Sequence, residues 1–133
     1  MTDAVVQIAR DCLEAAETGT MTFPRIVGAL ADAGIESYRI DFCRAVATYY
    51  QADGTVFELS APFAPFAVAK AFDAAAVAVA IRAAQTQAES YTYPGFCRTV
   101  TAAGCAGYLV SFSGRRALYV GRTGETHVER FPD

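Results

Sequence analysis

The chain has one histidine, His127, so imidazole acid–base chemistry must use it and a multi-histidine metal site is excluded. It falls in Thr126 to Phe131, which reads as a final strand. With Val128 facing inward, His127 and Glu129 point outward together, and Glu129 can orient the ring. An exposed strand histidine beside a solvated acid is the plainer reading. Four cysteines, Cys12, Cys43, Cys97 and Cys105, form no CxxC pair and show no metal-site or disulfide spacing. They read as reduced, mostly buried thiols. A Cys–His nucleophile pair needs a thiol such as Cys43 near His127 in space, and the spacing supplies none.

Arginine and tyrosine offer the remaining chemistry. Between Glu89 and Glu125 there is no acid, while Arg98, Arg115, Arg116 and Arg122 all fall there. Arg115 and Arg116 follow Gly114 at a hairpin turn, and Arg122 lies by the next turn. Arginines so placed can hold a phosphate or carboxylate, or can keep an open sheet edge from pairing with another sheet. Tyr38, Tyr49, Tyr108 and Tyr119 fall at equivalent places in two strand pairs, where rings fill a core and each hydroxyl needs a partner. A pocket ringed by these four hydroxyls, with Arg115, Arg116, Arg122 and His127 around it, would take a small polar or anionic ligand.

The elements that must position these residues come from a repeat. Gly34, Tyr38, Phe42, Ala47, Tyr49 and Gly54 recur seventy residues later as Gly104, Tyr108, Phe112, Ala117, Tyr119 and Gly124. Upstream, Thr22 and Pro24 recur as Thr92 and Pro94. Apolar residues at helical spacing predict a helix over 4–17 (Val5, Ile8, Ala9, Cys12, Leu13, Ala16) that stops near Gly19. Thr22 and Pro24 start a second helix, which Gly34 ends as the residue after its C-cap. Placing Cys43 and Arg44 in a tight turn pairs Phe42 with Ala45, Ile40 with Ala47 and Tyr38 with Tyr49, all on one face. Ser113 and Gly114 make the matching turn, which puts Tyr108, Val110, Phe112, Ala117 and Tyr119 together. Every strand identity lands on one side; a one-residue slip would scatter them, so the shared side is the core side. Asp53-Gly54 and Thr123-Gly124 turn the chain into third strands, Val56–Leu59 and Thr126–Phe131. Asp73 caps a helix to about Gln87 (Val77, Ile81, Ala84), and Thr92 caps another (Phe96, Cys97, Val100) ending at Gly104.

The expected fold is therefore α+β: an internally duplicated helix–helix–three-stranded antiparallel meander, the two copies sharing one core. The whole chain, 1–133, forms a single domain, with pseudo-repeats over about 4–60 and 73–132 and a connector over about 61–72. Each half alone is too small for a substantial core. Six strands in one sheet, or two small sheets around the helices, satisfy the pattern equally.

Composition bounds the function. With 53% hydrophobic and 19% charged residues, the 133-residue chain resembles a folded domain and not a disordered one. A net charge of −3 argues against nucleic acid, which requires a basic surface. The acidic N-terminus does not resemble a signal peptide, and Lys70, Asp73 and Arg82 interrupt the apolar stretch over 61–84, so no membrane span is expected. A soluble, cytoplasmic protein follows, with no cofactor and no metal.

The motifs TFPRIVGALADAGIESYRIDF with YYQADG, then IRAAQ, YTYPGFCRTVTAAGCAGY and GRRALYVGRTGETHVERFP, resemble the domain-of-unknown-function 1398 family. That family comprises bacterial and phage proteins of about this length, some labelled phage envelope protein. The likeness spans about Thr22 to Pro132. It implies a single α+β domain, no established activity, no known cofactor and no catalytic residues to carry over.

On the outer face the copies differ. The first presents Arg39, Asp41, Val46, Thr48 and Tyr50; the second presents Leu109, Ser111, Arg116, Leu118 and Val120. An apolar patch such as Leu109, Leu118 and Val120 is normally covered, here by the connector or by a second subunit in an isologous homodimer. The expected function is a non-enzymatic binding or interaction module, homodimeric and of phage origin. The alternative is a small-ligand-binding protein or enzyme built on the tyrosine pocket.

Overall fold

The computed structural model describes residues 3–61, 67–86 and 91–131. Two helices, α1 (Asp3–Thr18) and α2 (Phe23–Asp32), lead into strands β1 (Ile35–Asp41), β2 (Val46–Gln51) and β3 (Val56–Ser60). The order then repeats as α3 (Ala74–Thr86), α4 (Tyr93–Ala102), β4 (Cys105–Ser111), β5 (Arg116–Gly121) and β6 (Thr126–Arg130). From α2 onward every boundary in the second half lies 70 residues after its counterpart, as 35 and 105 illustrate. The first helices are offset differently: buried Ala9, Cys12 and Leu13 correspond to Val77, Ala80 and Ile81, a spacing of 68 (77 − 9). In sequence, the interval from Thr86 to Tyr93 is two residues longer than that from Thr18 to Phe23.

All six strands form one antiparallel sheet in the order β3-β2-β1-β4-β5-β6. The halves join through β1 and β4, with Ser37 opposite Ser111, Arg39 opposite Leu109 and Asp41 opposite Gly107. Adding 70 to one partner and subtracting it from the other returns the same set of pairs, so a pseudo-twofold axis passes between Arg39 and Leu109. Phe42 N–H donates to Ala106 O at 2.9 Å, and its counterpart Phe112 N–H donates to Glu36 O at 3.0 Å. The helices pack on one face. There Tyr38, Ile40, Phe42, Ala47, Tyr49, Phe57 and Leu59 from the first half join Val100, Cys105, Tyr108, Val110, Ala117 and Tyr119 from the second in one core.

The register Tyr38–Tyr49, Ile40–Ala47 and its equivalent Tyr108–Tyr119, Val110–Ala117 is the expected one. The turns are wider than two residues. Phe42 to Ala45 and Phe112 to Arg115 lie outside the ladder, and the last residue of each turn is left-handed (Ala45 φ 58°, Arg115 φ 52°). Asp41 Oδ1 accepts from the Cys43 and Arg44 amides at 3.0 Å, and Ser111 Oγ accepts from Gly114 N–H at 3.0 Å. A side-chain acceptor at the end of each first strand thus satisfies turn amides that the ladder cannot.

Thr92 caps α4 by accepting from Gly95 N–H at 3.1 Å, and Asp73 caps α3 by accepting from Ala76 N–H at 3.1 Å. Thr22 occupies the N-cap of α2 with an extended backbone but makes no side-chain capping bond, so the expected cap there is positional only. Pro24 fits the first turn, where its missing N–H leaves nothing unpaired. Of the connector, the described part binds the α4–β4 corner. Ala69 N–H donates to Thr101 O at 3.0 Å, Asp73 N–H to Ala103 O at 2.7 Å, and Phe72 packs against Gly121. It does not cover Leu109, Leu118 and Val120, which remain half-buried on the helix-free face. Residues 62–66 lie outside the described part. No helix among the described residues is long and apolar enough to cross a membrane.

Candidate functional site

The inner face of the sheet carries a chain of rings through its centre. Tyr38 stacks on Tyr49 at 5.8 Å between centroids, Tyr108 lies tilted against Tyr119 at 5.3 Å, and Tyr38 meets Tyr108 edge-on at 6.3 Å across the pseudo-twofold axis. Phe57 extends the chain at one end, 5.1 Å from Tyr49, and His127 extends it at the other, 6.4 Å from Tyr119. The four tyrosines expected together are thus brought together, all buried. Burial raises the pKa of each above the ordinary value. They are neutral phenols, able to exchange hydrogen bonds but not to serve as phenolate bases. Tyr108 shares a hydrogen bond with the hydroxyl of Tyr93, which starts α4.

Two cavities flank this chain, and the pseudo-twofold relates them. The smaller, about 260 Å³, is lined by Cys12, Leu13, Ala16, Ile26, Tyr38 and Tyr49 among others. The larger, about 580 Å³, is lined by the corresponding Ile81, Ala84, Phe96, Tyr108 and Tyr119, together with Arg115, Glu129 and Phe131. Thr22, Phe23, Tyr91, Tyr93 and Tyr108 border both.

The larger cavity lies where the repeat breaks. His127 pairs with Tyr119, and Glu129 with Ala117, so both project onto the inner face. Val128 pairs with Leu118 on the outer face and is 46% exposed. The expected outward direction of His127 and Glu129 is therefore corrected. Tyr119 and Ala117 fix the register, and a single valine does not outweigh that ladder. The corresponding residues of the first half are Phe57 and Leu59, 8% and 7% exposed, in ordinary core positions. The side chains of His127 and Glu129 are 24% and 30% exposed; Nε2 stands 3.5 Å from Oε2 and is buried without a hydrogen bond. The two groups stand close together, but their geometry is too poor for a hydrogen bond.

The three arginines separate. Arg115, at the β4–β5 turn, lines the larger cavity. Arg116 is exposed on the opposite face, with its Nε donating to Gly114 O at 3.0 Å. Arg122 Nη1 donates to Val68 O at 3.1 Å and fastens the connector. Arg116 and Arg122 are thus not brought to the cavity where a ligand role was expected. Among the thiols, Cys43 is exposed on its turn, and burial pushes Cys97 up to about 12 and Cys105 up to about 11. No group of His, Cys, Asp and Glu among the described residues could hold a metal ion.

Tyr91, Tyr93, Phe96, Phe131 and Glu129 are the lining residues that sequence reasoning missed. The signal was available in the copy-to-copy exchanges: Met21 becomes Tyr91, Phe23 becomes Tyr93, Leu59 becomes Glu129. In each a polar group enters a position that is apolar in the first half. Neither any family model nor any curated protein matches this chain.

Proposed function

We propose that the protein is a non-enzymatic binding module that takes one small, largely apolar molecule into the larger cavity. The observation that carries the reading is the exchange of Phe57 and Leu59 for His127 and Glu129. The two halves agree at the positions that build the fold, then diverge by placing ionisable groups on the covered face beside a cavity. That exchange costs folding stability, since it desolvates polar atoms without full compensation. A ligand that meets those atoms offsets the cost. The volume, about 580 Å³, falls within the range typical of small-molecule sites. Against catalysis stands the protonation of the phenols and buried thiols at neutral pH, which leaves no activated nucleophile among them.

The test is a thermal-shift screen of metabolites and anions against the wild type and an Ala84→Trp variant, whose indole fills the cavity from α3. Compounds that raise the melting temperature of the wild type but not of the folded variant support the reading. Stabilisation of both proteins alike, or no stabilisation by any compound at millimolar concentration, refutes it.

A homodimer through the outer face is supported by a separate observation. One lateral row crosses that face as Glu58, Thr48, Arg39, Leu109, Leu118 and Val128. Its first half is polar and its second, symmetry-equivalent half is apolar, so the apolar half fits a second copy of itself. Light scattering of the wild type and of Leu118→Lys decides this. A dimer that the substitution dissociates supports the reading, and a wild-type monomer at high micromolar concentration removes it. The same composition and the acidic charge balance favour a soluble, cytoplasmic protein that does not bind nucleic acid.

A further inference from the structure

Resting on the proposed cavity, we infer that its ligand is an organic cation, an amine or quaternary ammonium carried on an apolar body. The walls are rings. Phe96 meets Tyr91 at 6.5 Å, Tyr93 at 6.1 Å and Tyr119 at 6.5 Å, and Phe23 meets Phe131 edge-on at 5.9 Å. All six line the cavity. Ring faces carry negative potential, so a cage of this kind attracts a cation without the full desolvation cost that a buried counter-ion imposes. Neutral phenols keep those faces electron-rich, and the hydroxyls of Tyr91 and Tyr119 are groups of a kind that can accept from an N–H donor.

One formal negative charge faces the cage. Glu129 is the only acid among the lining residues described, and it projects from the inner face of β6 with 30% of its side chain exposed. Its one close titratable neighbour in a side-chain pair among the described residues is His127, at a distance and geometry that form no hydrogen bond. A partly buried carboxylate against aromatic rings destabilises the fold where Leu59 serves the first half well. A cation in the cavity is the partner that recovers this cost; a neutral ligand leaves the carboxylate desolvated, and an anion is repelled by it. Arg115 is the one basic residue among the described lining, but its side chain is exposed at the turn, where solvent and salt screen it. Screening makes the deeper charge decide the sign of the ligand.

Four probes of one shape separate the outcomes by titration calorimetry on the full chain: 3-phenylpropylamine, its trimethylammonium form, 3-phenylpropanol and 4-phenylbutyrate. The two cations are expected to bind at least tenfold more tightly than the alcohol. Glu129→Gln is expected to weaken cation binding several-fold more than alcohol binding, the rings keeping the remainder of the preference. A charge-neutral substitution of similar shape keeps the fold, and a urea midpoint for Glu129→Gln no lower than that of the wild type checks this. Equal affinity for cation and alcohol, or Glu129→Gln without effect, overturns the cation inference and leaves the cavity reading standing. Preference for the butyrate, lost in Arg115→Gln, overturns it in favour of an anion site. Failure of all four probes, together with an empty thermal-shift screen, overturns the cavity reading itself.

Discussion

Replacing His127 by Phe and Glu129 by Leu copies the first half of the chain onto the second, and the double variant is expected to be more stable than the wild type. Phe57 and Leu59 show what the geometry accepts: both are buried in the equivalent strand, Phe57 against Tyr49 and Leu59 opposite Ala47. Burying a leucine where an acid now stands contributes about 1.5–3 kcal/mol, discounted because that site is more open than the one Leu59 occupies. Removing the buried, unbonded Nε2 recovers about 1–3 kcal/mol of desolvation. Overpacking would oppose these gains by about 1–3 kcal/mol, but the adjacent cavity gives the new side chains room to relax. The net expectation is a gain of about 2–4 kcal/mol. Urea unfolding reads it directly, as a midpoint raised by roughly 1–2 M at unchanged slope, with the melting temperature up by about 10 °C. Ligand-induced stabilisation should disappear in the same protein. A midpoint that falls or stays put would refute the reasoning, because it would make His127 and Glu129 part of what holds the sheet together.

Other predictions follow from the same comparison of halves. Gly34 and Gly104 are both left-handed (φ 94° and 91°), yet a β-carbon at Gly34 would meet open space while one at Gly104 would overlap Ala71 O. Gly34→Ala should cost about 1–2 kcal/mol, and Gly104→Ala should cost clearly more, since it must also push out the connector; equal midpoints would contradict the close approach. In the native state at pH 8 iodoacetamide should modify Cys43 alone among the four thiols, and mass spectrometry finding rapid labelling of Cys97 or Cys105 would contradict their burial. The raised tyrosine pKa values fix a sign. Stability is independent of these groups below pH 10, their ordinary value, and falls as pH rises above it, because the unfolded chain ionises first. Each buried tyrosine steepens the loss by up to about 1.4 kcal/mol per pH unit. Phenolate absorbance should therefore rise with unfolding, and four tyrosines titrating near pH 10 in the folded protein would refute this.

Much of the architecture was legible because a repeat supplies its own check. The identities at Tyr38, Phe42, Ala47 and Tyr49 and their counterparts fixed both the strand phase and the core side, and the observed ladder keeps that phase. The choice between one sheet and two was not legible. It depends on whether β1 and β4 offer each other matching edges, and no residue pattern along either strand encodes its lateral neighbour. The phase of β6 was misread because Val128 was weighed alone. Carrying the 70-residue offset through to Phe57 and Leu59 places His127 and Glu129 inward from sequence alone. The cavity was beyond reach for another reason. Its walls combine the start of α2 with the end of α3, and the offset of the repeat differs between these helices, 68 residues for α3 and 70 from α2 onward.

The pairing of β1 with β4 about Arg39 and Leu109 has a consequence for how one chain divides its labour. Two equivalent halves that meet through their first strands are the covalent form of a homodimer. In such a dimer the residue on the axis faces its own copy, and residue 39 would set arginine against arginine, with like charges in neighbouring strands. Any change made to one half would appear in both, so a stability cost taken for the sake of a site would be incurred twice. Once the halves are tethered, Arg39 faces Leu109 instead, and each half answers to a different demand. Phe57 and Leu59 let one half act as the anchor of the shared core, and that anchorage lets the other half carry His127 and Glu129 at a single cost.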